Sequence, residues 1–181
     1  MTADEMMALL EQLLHHKSRS EALDALERLS RENKVDGRAV TYLMPILHAP
    51  EPETRRKASW LMGKLAQNKV ETYWPLEELN GLLRDDDAEV RENSAWTIGE
   101  LTSKRIGNMG SIEHLDRLLV DDVPSVRGMA AWAIGRLAER MQLGSAMSVG
   151  PLTELTKDRY ESVRRSAVYA LERLAELGIQ R

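Results

Sequence analysis

Residues 126–138 read VRGMAAWAIGRLA, and this stretch decides the fold. Related copies occupy residues 90–102, 54–66, 163–175 and 18–30, and the last copy is the most divergent. An arginine is the second residue of every copy, and successive arginines are 36, 36, 36 and 37 residues apart: Arg19, Arg55, Arg91, Arg127 and Arg164. A fixed period of this length predicts a stack of repeats, in which each unit buries its apolar face against its neighbours.

Composition and spacing predict that each repeat is a pair of helices. The chain has no Phe and only 4% aromatic residues, so Leu, Ile, Val, Met and Ala must form the core, a mixture that favours helices. In the four later repeats, apolar residues lie 15, 12 and 9 positions before the arginine, which marks one buried stripe on a first helix. We therefore predict an all-α, right-handed α-solenoid of five helical hairpins. It forms a single domain over residues 1–181, with repeats at approximately 4–33, 36–69, 71–105, 110–141 and 146–178.

Prolines predict local departures from regular helices. Pro45 lies inside the first helix of the second repeat and should kink that helix or end it early. Pro75 and Pro151 fit a first helical turn, where the missing N–H costs nothing. Trp74, next to Pro75, is outside the repeat register, and we expect it to pack where the helix starts.

The repeat resembles the HEAT repeat in its period, in an Asp six residues before the Arg, and in its Leu/Ile-Gly-x-Leu ending. More narrowly, it is similar to the short HEAT-like repeats of phycobilisome lyases and of many bacterial and archaeal proteins. The Asp is absent from the second and first repeats, where Ala49 and Leu13 take its place. The resemblance implies the fold but little about function, because the family includes scaffolds, carriers, inhibitors and a few enzymes.

The Asp and Arg positions are interpreted as a structural ladder. An Arg near the start of a helix can donate to turn carbonyls and to the carboxylate of the neighbouring repeat. A catalytic role would not explain why the pair occurs three times. The predicted ladder consists of Asp85, Arg91, Asp121, Arg127, Asp158 and Arg164.

An aromatic residue lies five positions after the arginine in the four later repeats, at Trp60, Trp96, Trp132 and Tyr169. At 100° per residue this position points roughly 170° away from the apolar face of the second helix. In a HEAT-like solenoid the second helices line the concave surface, so the aromatic residues would follow that groove. Two interpretations stay open, packing between repeats and contact with a ligand. Glycines at 63, 99 and 135, three residues after each Trp, predict a close approach of helices beside the rings.

The charges on the predicted groove are mixed. Basic residues there are Arg28, Arg31, Arg56, Lys57, Lys64, Arg136, Arg165 and Arg173, and acidic residues are Glu21, Asp24, Glu92, Glu100, Glu139 and Glu176. Eight basic and six acidic residues make the groove mildly basic, on a chain whose net charge is −4. A protein or peptide suits this pattern better than a phosphate backbone, which requires continuous positive charge.

No catalytic residue, metal or cofactor is predicted. The chain has no Cys, and its histidines, at 15, 16, 48 and 114, show no metal-ligand spacing. The HEAT-like deoxyhypusine hydroxylases hold iron with repeated His-Glu pairs, whereas here only Glu113-His114 occurs, once and reversed.

We therefore predict a non-catalytic scaffold or adaptor that binds a protein or peptide in the groove. Its binding residues are Trp60, Trp96, Trp132, Tyr169, Arg56, Lys57, Lys64, Arg136, Arg165 and Arg173. The alternative is a nucleic-acid-binding protein that resembles the HEAT-like DNA alkylation glycosylases and uses the same surface, although Glu92 and Glu100 interrupt it. The absence of Cys, of 18-residue apolar runs and of a basic N-terminal region predicts a cytoplasmic protein without membrane contact.

Overall fold

A computed structural model describes residues 2–15 and 17–180, and every regular element in these ranges is helical. The all-α prediction is therefore confirmed, while His16, one of the four histidines considered as metal ligands, lies outside the described residues. The Cα positions form two compact units, one up to Pro75 and the other from Leu76 onward. A single domain over the whole chain stays a prediction.

The first unit contains hairpin 1 and hairpin 2. Its helices are α1 (Ala3–Gln12), α2 (Arg19–Arg31), α3 (Arg38–Leu43) and α4 (Pro52–Gln67). Thr2 and Glu5 start α1 with a reciprocal capping box, which satisfies two backbone N–H groups at the helix start. Helices α1 and α2 pack as one hairpin, and α2 also packs against α4.

Pro45 ends α3 early, as predicted. The helix stops at Leu43, and a 3-10 helix over Met44–His48 completes the first arm of hairpin 2. Proline has no N–H for an i→i−4 hydrogen bond, so the chain tightens into a 3-10 turn at this point. Ile46 and Leu47 within that turn are still buried, so the apolar stripe continues through it.

The second unit contains hairpins 3, 4 and 5 in residues 76–180. Its helices are α5 (Leu76–Leu82), α6 (Ala88–Leu101), α7 (Met109–Leu118), α8 (Pro124–Met141), α9 (Ala146–Leu155) and α10 (Glu161–Glu176). The first helices α5, α7 and α9 pack side by side, and the second helices α6, α8 and α10 form another layer. Apolar side chains between the layers are fully buried, as the stripes predicted, for example Ile112, Leu115 and Ile134.

The starts of these helices explain one wrong prediction. Ser145 caps α9 by accepting a hydrogen bond from the N–H of Met147 at 3.1 Å. The helix therefore begins at Ala146, and Pro151 lies inside it rather than in its first turn. Pro75 directly precedes α5, and Trp74 is buried. Among the described residues, no helix is both long and apolar enough to cross a membrane.

Candidate binding site on the second helices

The repeated arginine joins two hairpins at once. Nη1 of Arg91 donates to the backbone carbonyls of Asp85 and Asp86 at 2.9 and 3.2 Å, which closes the turn of its own hairpin. Its Nε and Nη2 donate to both carboxylate oxygens of Asp121 in hairpin 4, at 2.8 and 3.0 Å. The arginine therefore binds the carbonyl of the Asp in its own repeat and the carboxylate of the Asp in the next repeat.

The same arrangement recurs one hairpin later. Arg127 donates to the carbonyl of Asp121 at 2.7 Å and, through Nε and Nη2, to Oδ2 of Asp158 at 2.9 and 2.7 Å. In hairpin 5, Nη1 of Arg164 donates to the carbonyls of Asp158 and Arg159 at 2.8 and 3.0 Å. These contacts hold turns and neighbouring hairpins together.

The carboxylates of this ladder are shielded from water and satisfied by protein groups. Burial by itself would raise the pKa of Asp158, but the N–H of Tyr160 and the guanidinium of Arg127 outweigh burial and lower that pKa. Correspondingly, the hydrogen bond to Asp121 raises the pKa of Arg91. A group that is already held in its charged form by fixed partners is suited to structural support rather than proton transfer.

The aromatic residues of hairpins 4 and 5 pack against glycines of the preceding hairpin. A Cβ atom on Gly99 would lie 2.2 Å from Cζ3 of Trp132, and a Cβ atom on Gly135 would lie 2.5 Å from Cε1 of Tyr169. The glycines therefore provide space for the ring of the following repeat. Burial, followed by the negative charge of Glu139, raises the pKa of Tyr169, which is consistent with this enclosed position.

An arginine guanidinium lies over three of the four aromatic rings. The Arg31 guanidinium carbon is 4.8 Å from the Trp60 ring centre. The corresponding distances are 5.6 Å from Arg136 to Trp132 and 5.9 Å from Arg173 to Tyr169. Trp96 differs, because its Nε1 donates to Oε1 of Glu100 at 3.2 Å.

Trp96 and Trp132 remain half-buried and line a common pocket of about 440 Å³. We call it the α6–α8–α10 pocket, after the helices that contribute its walls. Its lining consists of Glu92, Trp96, Pro124, Ser125, Gly128, Met129, Trp132, Ser162 and Ser166. Its volume falls within the range of small-ligand or side-chain pockets in proteins.

The remaining predicted groove residues lie in other surroundings. Tyr169 and Arg165 line a second pocket of about 540 Å³, and Arg165 is paired there with Glu161 on the same helix. On α4 in the first unit, Nζ of Lys57 contacts Oδ1 of Asp24 at 2.7 Å. Lys64 donates to Oε1 of Gln67 at 2.7 Å, and Arg56 is exposed.

Reasoning from sequence missed several walls of the α6–α8–α10 pocket. Gly128 and Met129 are one and two positions after Arg127, on the same face as the aromatic position, but a count of charges passes over them. Ser162 and Ser166 come from α10 and carry no compositional signal. A list of every residue that lies about one helical turn before each aromatic residue would have included Gly128 and Met129.

Metal-binding residues do not cluster in the described part of the chain, where no group of three or more His, Asp or Glu side chains could hold an ion. His114 lies 3.4 Å from Nη1 of Arg117 through its Nδ1. Burial first, and then the charges of Arg84 and Arg117, lower the pKa of His114.

Comparison with known protein families identifies the repeat. The sequence pattern of HEAT repeats matches residues 40–135 and, in a second overlapping match, residues 76–172. No curated protein matches the chain. The narrower likeness to the repeats of phycobilisome lyases stays a prediction.

Solved structures confirm the class of fold. An engineered protein is 22% identical, with a TM-score of 0.79, over 99% of this chain and 88% of its own. A designed armadillo repeat protein in complex with the peptide (KR)4 is 23% identical, with a TM-score of 0.74, over 97% of this chain and 88% of its own. Computationally designed armadillo repeat proteins for modular peptide recognition are 22% identical, with a TM-score of 0.73, over 95% and 87%. The chain thus has the fold of the armadillo and HEAT repeat solenoids.

Proposed function

Because the chain belongs to the HEAT repeat family, we propose that it is a non-catalytic scaffold that binds a segment of a partner protein on its second helices. The observation that carries this proposal is the α6–α8–α10 pocket, which two half-buried indole rings line. Pockets with aromatic walls and a few polar groups are common anchor sites for side chains of a partner.

The pocket combines a rigid frame with open aromatic surface. The Arg127–Asp158 contact holds hairpins 4 and 5 together, and Trp132 is supported by Gly99 of hairpin 3. A site on helices that are already packed loses little conformational entropy when a ligand binds. Two of the similar solved structures, both designed armadillo repeat proteins, are described in terms of peptide binding or recognition, which agrees with this proposal.

The other predicted groove residues belong to this proposal as secondary contacts. Arg136 lies over the ring of Trp132, which lines the pocket, and Arg173 lies over the ring of Tyr169, which lines the second pocket. Residues of the first unit, including Trp60 and Lys57, stay candidates for a longer partner segment. The cytoplasmic location inferred from sequence also stays a prediction.

Binding of nucleic acid, the alternative predicted from sequence, has weaker support. Glu92 lines the α6–α8–α10 pocket, and Glu100 accepts a hydrogen bond from Trp96, so two carboxylates lie on the same side of α6 as the half-buried ring. A phosphate backbone would be repelled there. Binding to single-stranded DNA that falls steeply with salt would favour the alternative.

Selection from a random peptide library tests the proposal. Peptides selected on the wild-type protein should bind Ser162→Tyr and Trp96→Ala at least about tenfold more weakly, because the first change fills the pocket and the second removes a wall. Ser20→Tyr is the matched control, since Ser20 is exposed on α2 and is not among the residues that line the pocket.

Isothermal titration calorimetry gives the affinities for this test. Equal binding of the selected peptides to wild type and Ser162→Tyr would contradict the proposed site. Failure of the library to yield any binder would contradict peptide binding itself.

A further inference from the structure

The α6–α8–α10 pocket has an unusual distribution of charge. Glu92 is the only charged side chain among the nine described residues that line it. The walls around this carboxylate are indole rings, a methionine, a proline and three serines. On this basis we infer that the pocket accepts a cationic side chain, Lys or Arg, of a bound peptide, with Glu92 as its counter-ion. The inference rests on the proposed function and specifies the class of ligand.

The Glu92 carboxylate is held in place but has acceptor capacity left. Its Oε2 accepts a hydrogen bond from Oγ of Ser125 at 2.6 Å, a contact that links α6 to α8. Within the described part of the chain, no group donates to Oε1. A carboxylate has room for about four hydrogen bonds, so an ammonium or guanidinium group can still bind to it.

The indole rings add attraction for a cation. The faces of Trp rings carry negative electrostatic potential and attract ammonium and guanidinium groups. Arg136 already uses this property of Trp132 at 5.6 Å. The Trp96 ring lines the pocket and has no guanidinium over it among the described residues.

A second carboxylate strengthens the negative potential beside Trp96. Glu92 and Glu100 lie four residues before and four residues after Trp96, so both are on the same side of α6 as the ring. Glu100 accepts the indole N–H of Trp96, which removes this donor from the groups that could bind an anion.

Two arginines of the second unit, Arg136 and Arg165, have acidic partners outside the pocket. Arg136 is 3.5 Å from Oε2 of Glu139, and Arg165 is paired with Glu161. Neither arginine lines the pocket. An acidic side chain would therefore be repelled by Glu92, and a neutral side chain would leave the charge of Glu92 unpaired. A basic side chain would form an ion pair with it.

Short peptides provide the test, with NMR detection of the tryptophan indole N–H signals so that weak binding is measurable. The probes are acetyl-Gly-Ser-X-Ser-Gly-amide, where X is Arg, Leu or Glu. We expect the Arg peptide to shift the signals of Trp96 and Trp132 and to bind at least about tenfold more tightly than the other two. Glu92→Gln keeps the hydrogen bond from Ser125 but removes the charge, so it should weaken binding of the Arg peptide about tenfold.

Glu113→Gln is the matched control for general electrostatic attraction. Glu113 is exposed on α7, in the layer of first helices, and its loss changes the net charge by the same amount. It should alter the dissociation constant less than twofold. An equal effect of Glu113→Gln and Glu92→Gln would overturn the inference, because binding would then follow total charge rather than the pocket.

The three peptides also separate this inference from the proposed function. If the Leu or Glu peptide shifts the Trp96 and Trp132 signals and the Arg peptide does not, the pocket binds peptides but has no cation specificity, and only the inference is wrong. If none of the probes shifts these signals, the inference is wrong, while binders from the library that depend on Ser162 would still support the proposed function.

Discussion

Two joints between neighbouring hairpins are held by ion pairs at different register positions. Between hairpins 4 and 5, Arg127 contacts Asp158 at 2.7 Å, and these side chains are only 17% and 7% exposed. Between hairpins 1 and 2, Ala49 stands where the Asp would be, and Lys57 contacts Asp24 instead, with exposures of 28% and 45%. The first joint is held by a shielded ion pair and the second by a pair open to water.

The repeated arginine also closes the turn of its own hairpin where the Asp is missing. In hairpin 1, Nε of Arg19 donates to the carbonyl of Leu13 at 2.9 Å, although no Asp occupies that position. In hairpin 2, Arg55 donates to the carbonyl of Ala49 at 3.0 Å. Closure of a turn therefore needs only a backbone carbonyl, whereas the Asp serves the joint with the preceding hairpin.

Removing one partner from each ion pair is the strongest test of this comparison. Asp158→Ala should lower the free energy of unfolding by about 3 kcal/mol or more, because it leaves a shielded guanidinium without its counter-ion. Asp24→Ala should cost less than about 1 kcal/mol, since water screens the exposed pair. Urea unfolding at neutral pH measures both, and equal losses would show that the two joints are energetically alike.

Substitution of a glycine that packs against an aromatic ring should have the next largest effect on stability. Gly135→Ala would place a Cβ atom 2.5 Å from Cε1 of Tyr169 and 3.1 Å from Cα of Ala170. Overpacking of this kind should cost about 1–3 kcal/mol. Gly81→Ala, in α5 with open space around it, should instead stabilise the protein by up to about 1 kcal/mol. Thermal unfolding of the two variants should therefore shift in opposite directions, and a stabilised Gly135→Ala variant would refute the packing role.

Falling pH should gradually remove the stabilising contribution of the ion pair between hairpins 4 and 5. The pKa of Asp158 is lower in the folded chain than in the unfolded chain, so its ion pair contributes fully above the unfolded value of about 3.9. This contribution is lost as pH falls through the folded pKa. The unfolding free energy of wild type should therefore fall more steeply below about pH 4 than that of Asp158→Asn. Parallel curves for the two proteins would mean that Asp158 has no part in acid sensitivity.

Much of the fold followed from local signals in the sequence. The period of the arginines predicted five hairpins, and Pro45 predicted the early end of α3. The end of α3 depends on backbone hydrogen bonding, and the helices of each hairpin depend on apolar periodicity, and both act within a single repeat. The prediction that Pro151 lies in a first helical turn was wrong because a local signal was overlooked: Ser145 is the N-cap residue at which α9 starts.

Local signals could not predict which side chains contact each other between neighbouring hairpins. Gly99 lies three residues after Trp96, yet the ring that occupies the space beside it is Trp132 of the next repeat. Similarly, Arg91 shares a repeat with Asp85 but binds the carboxylate of Asp121. Which of several equivalent side chains makes contact depends on the offset between neighbouring helices, and the repeat pattern is identical for every choice.

By itself, the sequence determined the number of hairpins and their helical character. These properties depend on period and amphipathic pattern, which each repeat carries independently. Only the tertiary structure decided that Trp132 supports a joint while also lining the α6–α8–α10 pocket, and that Glu92 is the charged group in that pocket. A pocket requires side chains of three helices at a particular distance, and this distance is set by how closely glycines allow the helices to pack.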